Sequence, residues 1–93
     1  MILTENARLP KGTKIRFIKN GSTNPACIGI VATLCADYLG DENVEIKFPS
    51  PWFKDDQAHE LTPVKNHAGP RFEIVAARPG FKEWIKKIER KES

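Results

Sequence analysis

Cys27-Ile28-Gly29-Ile30-Val31-Ala32-Thr33-Leu34-Cys35 is the most apolar run in the chain, and its reading decides the fold. Ile28, Ile30, Ala32 and Leu34 share one parity; Cys27, Val31, Thr33 and Cys35 share the other. Apolar side chains on both parities are what a central strand carries. Gly29 interrupts the run near its start and marks a bulge or sharp bend. A short, bent central strand selects a strongly curved antiparallel structure over a flat one.

Upstream, Thr13 to Lys19 alternates, with Ile15 and Phe17 on one face and Lys14 and Arg16 on the other. That is the period of a half-buried strand. Leu9-Pro10-Lys11-Gly12 leads into it as a turn, and Asn20-Gly21-Ser22-Thr23-Asn24-Pro25 is a loop of turn-forming residues. Downstream, Leu39-Gly40-Asp41-Glu42-Asn43 is a second turn cluster, followed by Val44-Glu45-Ile46-Lys47-Phe48 with Val44, Ile46 and Phe48 inward. Pro49 and Pro51 end that strand, because proline brings no ladder donor. Lys54 to Glu60 reads as a loop or a single helical turn. Short strands are expected near Glu60 to Val64 and from Arg71 to Ala77, with His67-Ala68-Gly69-Pro70 punctuating between them. In the second of these, Phe72, Ile74 and Ala76 share a face. Pro79-Gly80 opens a helix from Phe81 to about Lys91. Phe81, Trp84, Ile85 and Ile88 recur at helical spacing and form an apolar stripe that docks on the sheet or its open end, with Trp84 in the core.

These elements describe a mainly β single domain over residues 1–93. The expectation is a small antiparallel barrel of four to five short strands within about residues 13–77, plus a C-terminal helix at about 81–91. The strand order resembles small SH3-like barrels in pattern alone, so no functional residue carries over. The alternative is an open antiparallel sheet covered by one helix, an α+β arrangement. The 93 residues suit one modest core. No stretch approaches the ~18 consecutive apolar residues of a spanning helix, and Met1 to Asn6 lacks the flank and apolar run of a signal peptide. Two cysteines are too few for a disulfide scaffold, so a reducing cytoplasm is expected, with no membrane partner.

Charge is uneven along the chain. Five bases stand against one acid from Met1 to Lys19, two against seven from Asn20 to Val64, and eight against four from Lys65 to Ser93. If the basic ends meet in space they form a positive face opposite an acidic one, which draws anionic partners. Attraction between neighbouring segments of opposite sign within the fold is the ordinary use of such a pattern.

Catalytic groups are sparse. His59, His67, Cys27 and Cys35 are the candidates. Two cysteines eight positions apart on one strand stand roughly 26 Å apart at ~3.3 Å per residue, too far for a shared disulfide or metal. Asp41-Glu42 and Asp55-Asp56 lack the spacing of a calcium loop, and no glycine-rich phosphate loop occurs. No enzyme activity, metal or cofactor is therefore expected.

Binding is better supplied. A nucleic-acid surface would comprise Arg8, Lys11, Lys14, Arg16 and Lys19, joined by Lys82, Lys86 and Arg90 of the helix and by Trp52 as a stacking residue. The competing explanations are charges guarding an edge strand, a solvated helix face, and an aromatic plug from Trp52 or Phe53. A protein-binding surface would use Asp41, Glu42, Glu45, Asp55 and Asp56, or an open strand edge. The leading expectation is a non-enzymatic adaptor or inhibitor bound to a larger protein. The alternatives are a nucleic-acid-binding module and an oligomer holding an anionic nucleotide or metabolite.

Overall fold

In a computed structural model, residues 2–4, 6–19, 21, 23–49, 57–76 and 80–92 are described. Strand β1 (Lys14–Phe17) follows its alternation, burying Ile15 and Phe17 and leaving Lys14 and Arg16 in solvent. It is an interior strand, however, so its charges guard no edge. It pairs with β2 (Val31–Leu34) on one side and with β7 (Phe72–Ala76) on the other, both antiparallel. Strands β3 (Asn43–Pro49) and β4 (Gln57–Pro63) extend the sheet beyond β2, giving the order β4-β3-β2-β1-β7. A two-stranded hairpin of β5 (Lys65–Asn66) and β6 (Gly69–Pro70) links β4 to β7, and helix α1 (Phe81–Glu92) follows.

The run that opened the reading divides. Cys27 ends a short 3-10 turn, Pro25–Cys27, and only Val31 to Leu34 is strand. The two cysteines are therefore not on one strand, and both are free. The break falls at Gly29. Phe17 N–H donates to Ile30 O (3.1 Å) and Gly29 N–H donates to Phe17 O (2.9 Å), so two residues oppose one. Gly29 has φ +88°, a conformation a side chain resists. The expected bulge is present, and it lies just ahead of β2.

No closed barrel forms among the described residues: the edge strands β4 and β7 do not pair with each other. The architecture is a small α+β arrangement, a five-stranded antiparallel sheet with a two-stranded annex and one helix. The sheet curls because the hairpin ties its two edges at one end. Arg71 N–H donates to Val64 O (2.8 Å), and Arg71 Nη1 donates to Thr62 Oγ1 (2.8 Å) from the start of β7 to the end of β4. The Arg71 guanidinium also lies 5.2 Å from the Phe17 ring centroid, and Phe17 meets Phe72 at 4.6 Å. Inside the curl are Leu3, Leu9, Ile15, Phe17, Ala32, Leu34, Tyr38, Val44, Ile46, Val64 and Phe72.

Four other expectations change. Gln57 to Glu60 belong to β4, not to a loop, because pairing with β3 supplies what their sequence pattern does not signal. Pro49 is the last residue of β3 rather than the one beyond it. Trp84 is half-buried, not core. Helix α1 does not cover the sheet: Phe81 packs on the core cluster, and Phe81 with Ile85 borders the N-terminal arm. That arm is itself anchored, with Leu3 N–H donating to Phe72 O (2.9 Å) and Ile2 bridging to Glu73 on the outer side of β7.

Candidate functional site

The two outer sides of the sheet differ. Beside β7, Ile2 and Leu3 occupy main-chain positions at Phe72 and Glu73. Beside β4, no strand is present among the described residues. The hydrogen-bond phase shows which groups of β4 point outward. Pairing runs from Asn43↔Pro63 to Pro49↔Gln57, and Val64 N–H donates to Glu42 O (2.9 Å). Cys35 N–H donates to Glu45 O (2.9 Å), so that carbonyl faces β2 and not β4. Antiparallel pairs alternate between bonded and non-bonded types. Positions 58, 60 and 62 therefore bond to β3, whereas Gln57, His59, Leu61 and Pro63 turn their main-chain groups outward. Pro49 and Pro63 both fall at non-bonded pairs, where the missing N–H costs the β3–β4 ladder nothing.

Leu61 stands in this edge with 68% of its surface exposed, more than any other large apolar side chain described. Glu45 is its cross-strand neighbour on the outer face, and Glu60 is exposed on the opposite face. Asp41 and Glu42 are exposed in the turn that precedes β3. Three of the acidic positions singled out from sequence, Asp41, Glu42 and Glu45, thus gather at the β3–β4 side of the molecule. Asp55 and Asp56 lie outside the described residues. Leu61 carried no sequence signal, since one leucine among polar residues reads as nothing until the strand has an edge.

The basic set is dispersed. Lys11 is exposed, and its N–H donates to Asp37 Oδ1 (2.8 Å). Lys14 Nζ donates to Thr33 Oγ1 (2.5 Å), and Arg16 pairs with Glu73 (2.5 Å). Lys19 is exposed after β1, and Arg8 is half-buried on the N-terminal arm. Lys82, Lys86 and Arg90 are exposed on α1, whose described neighbours are on the arm rather than on the outer face of β1. Trp52 lies outside the described residues. Positive and negative segments interleave: the register sets Lys14, Thr33 and Lys47, the last from the acidic middle, in one row across β1, β2 and β3.

Cys35 sits half-buried at the end of β2. Burial, and then the Glu45 carboxylate, push its thiol above the ordinary value; Lys47 and Lys11 oppose this more weakly. His67 is exposed in the hairpin turn. Among the described residues no three metal-binding side chains cluster. No helix described is long and apolar enough to cross a membrane. No family model matches the chain, and neither does any curated protein or solved structure.

Proposed function

We propose that this chain is a non-enzymatic protein-interaction module, an adaptor or inhibitor, that accepts an extended segment of a partner protein as a sixth strand on β4. The observation that carries the reading is the edge itself: seven residues paired, among the described residues, along one side only, with outward main-chain groups around an exposed Leu61. Strand addition uses main-chain bonds for affinity and alternate side chains for selection. Glu60, next to Leu61 on the opposite face of β4, favours a segment in which an apolar residue is flanked by Lys or Arg. Within this proposal the strand order is read as SH3-like, a four-strand meander with the last strand returned to the first. A reducing, cytoplasmic setting suits the two free cysteines.

Leu61→Pro is the discriminating variant. It removes an outward N–H without removing a bond to β3. Nonapeptides alternating Val with Lys, titrated into isotope-labelled protein, are expected to shift the β4 amides. In L61P the binding is expected to weaken at least about ten-fold while the melting temperature stays close to wild type. Equal affinity in both proteins, or shifts confined to other strands, would sink the reading.

A second reading, contact with nucleic acid, is favoured by one observation. β1 is interior, so Lys14 and Arg16 are not explained as edge guards, and Lys14 aligns with Lys47 across Thr33. Phosphate contacts through this row would weaken steeply between about 50 and 200 mM salt. Anisotropy of labelled single-stranded DNA, duplex DNA and RNA, with Lys14→Glu as the control, separates it from the first.

A further inference from the structure

Helix α1 meets the rest of the molecule by one border of its stripe. Phe81 and Ile85 line a groove of about 420 Å³ with Ile2, Ala7 and Leu9, and Arg8 stands in its wall. Trp84 and Ile88 lie on the other border of the stripe, both half-buried, with the Trp84 ring 6.3 Å from that of Phe81. Ile2 is 42% exposed at the rim. The helix and arm together thus present one apolar surface built from Ile2, Phe81, Trp84, Ile85 and Ile88.

Cations stand on both flanks of that surface, with Glu89 also on the Ile85 flank, about 40° beyond Ile85. At 100° per residue, Lys87 follows about 60° beyond Trp84, and Lys82 about 60° beyond Ile85. Lys82, Lys86 and Lys87 are exposed. Between Phe81 and Arg90 the helix carries four bases and two acids, Glu83 and Glu89. Like charges at Lys82 and Lys86 are spaced i, i+4, a repulsion that Glu83 and Glu89 offset in part and that an anionic surface would relieve further.

We propose that α1 and the N-terminal arm seat this surface on an anionic lipid bilayer, the helix lying in the interface plane. The pattern asks for an occupant that takes a tryptophan and four other large apolar side chains and meets cations on both sides of them. The headgroup–acyl boundary of an acidic bilayer has both properties, with tryptophan favoured at that depth. A nucleic acid meets the cations but leaves the stripe wet. A second copy covers the stripe but sets lysines against lysines. The want of a spanning helix, which led the sequence reading away from membranes, does not bear on a helix that lies on the surface.

The test is co-sedimentation of the full chain with phosphatidylcholine vesicles, with and without about one-third phosphatidylserine. With Lys82, Lys86 and Lys87 near the surface, binding to the acidic vesicles is expected to be on the order of a hundred-fold tighter, and to fall as salt is raised. Lys86→Glu/Lys87→Glu is expected to abolish the preference. Trp84→Ser is expected to weaken binding on acidic vesicles at least about ten-fold with circular dichroism unchanged. In a Trp52→Phe background, brominated lipid should quench Trp84, a readout independent of both surface variants. No binding to acidic vesicles overturns the proposal, as does binding indifferent to both variants. Self-association lost in Trp84→Ser, without vesicle binding, overturns it in favour of a second copy. Oligonucleotide binding through the same lysines, without vesicle binding, overturns it in favour of a nucleic acid.

Discussion

Two glycines separate costs that are often confounded. Gly29 has φ +88° with nothing within 4 Å of an added Cβ, whereas Gly21 has φ +50° and an added Cβ would lie 2.5 Å from the Ala68 Cβ. Gly29→Ala is therefore expected to cost only the left-handed strain, about 1–2 kcal/mol. Gly21→Ala adds a clash with the hairpin turn, and its loss in urea denaturation should be the larger of the two. Arg71 joins three groups at the curl: the Thr62 hydroxyl, the Phe17 ring and the Val64 carbonyl, the last through its main chain. Arg71→Met keeps the bulk and the main-chain bond but strands a buried hydroxyl. A loss of about 1–3 kcal/mol is expected, again read in urea. Cys35 supplies a pH test. Its raised thiol pKa leaves less thiolate than a free peptide holds at the same pH, so alkylation at pH 8 should lag behind a cysteine peptide. Removing the Glu45 charge with Glu45→Gln lowers that pKa and should speed the reaction; an unchanged rate would show that the carboxylate does not act on it. The Gly29 bulge was legible because one residue type announces it. Arg71 was not, since a single arginine before a strand says nothing until Thr62 and Phe17 are brought to it.

At the scale of elements, alternation was the reliable signal. Ile15, Phe17, Val44 and Ile46 were read as inward and are buried, and the helix stripe begins at Phe81 as its period requires. What alternation does not encode is a strand's neighbours. The bases of β1 suggested an edge, yet the partner on its far side is β7, 57 positions away at Arg16↔Glu73. β4 shows the converse, since Gln57-Ala58-His59-Glu60 has no apolar period and becomes strand only through β3. The Arg16–Glu73 pair is partly solvent-exposed on both sides. Arg16→Gln is accordingly expected to cost under about 1 kcal/mol, a bound that thermal melts can check. A larger loss would mean that the pair holds β7 in place.

At the scale of the molecule, topology decided how the charge segments are used. The two basic ends do meet, β1 against β7 and α1 against the arm with Arg8 in the groove wall, but Glu73 and Thr33 take up Arg16 and Lys14 there, so meeting ends do not by themselves make a positive face. β1 lies in the sheet among Thr33, Lys47 and Glu73, while α1 stands beside the arm. The candidate edge was legible only in kind. An unclosed antiparallel sheet has two edges somewhere, but Leu61 becomes conspicuous only once β4 is the last strand. The arm at β7 has a consequence of valence. Head-to-tail stacking of sheets into a filament needs two complementary docking ends per molecule, and Ile2 and Leu3 already fill part of one. Only Ile74 to Ala76 of β7 remain beyond the arm, against seven residues along β4, so self-association through sheet edges is expected to pair β4 with β4 and to close at two.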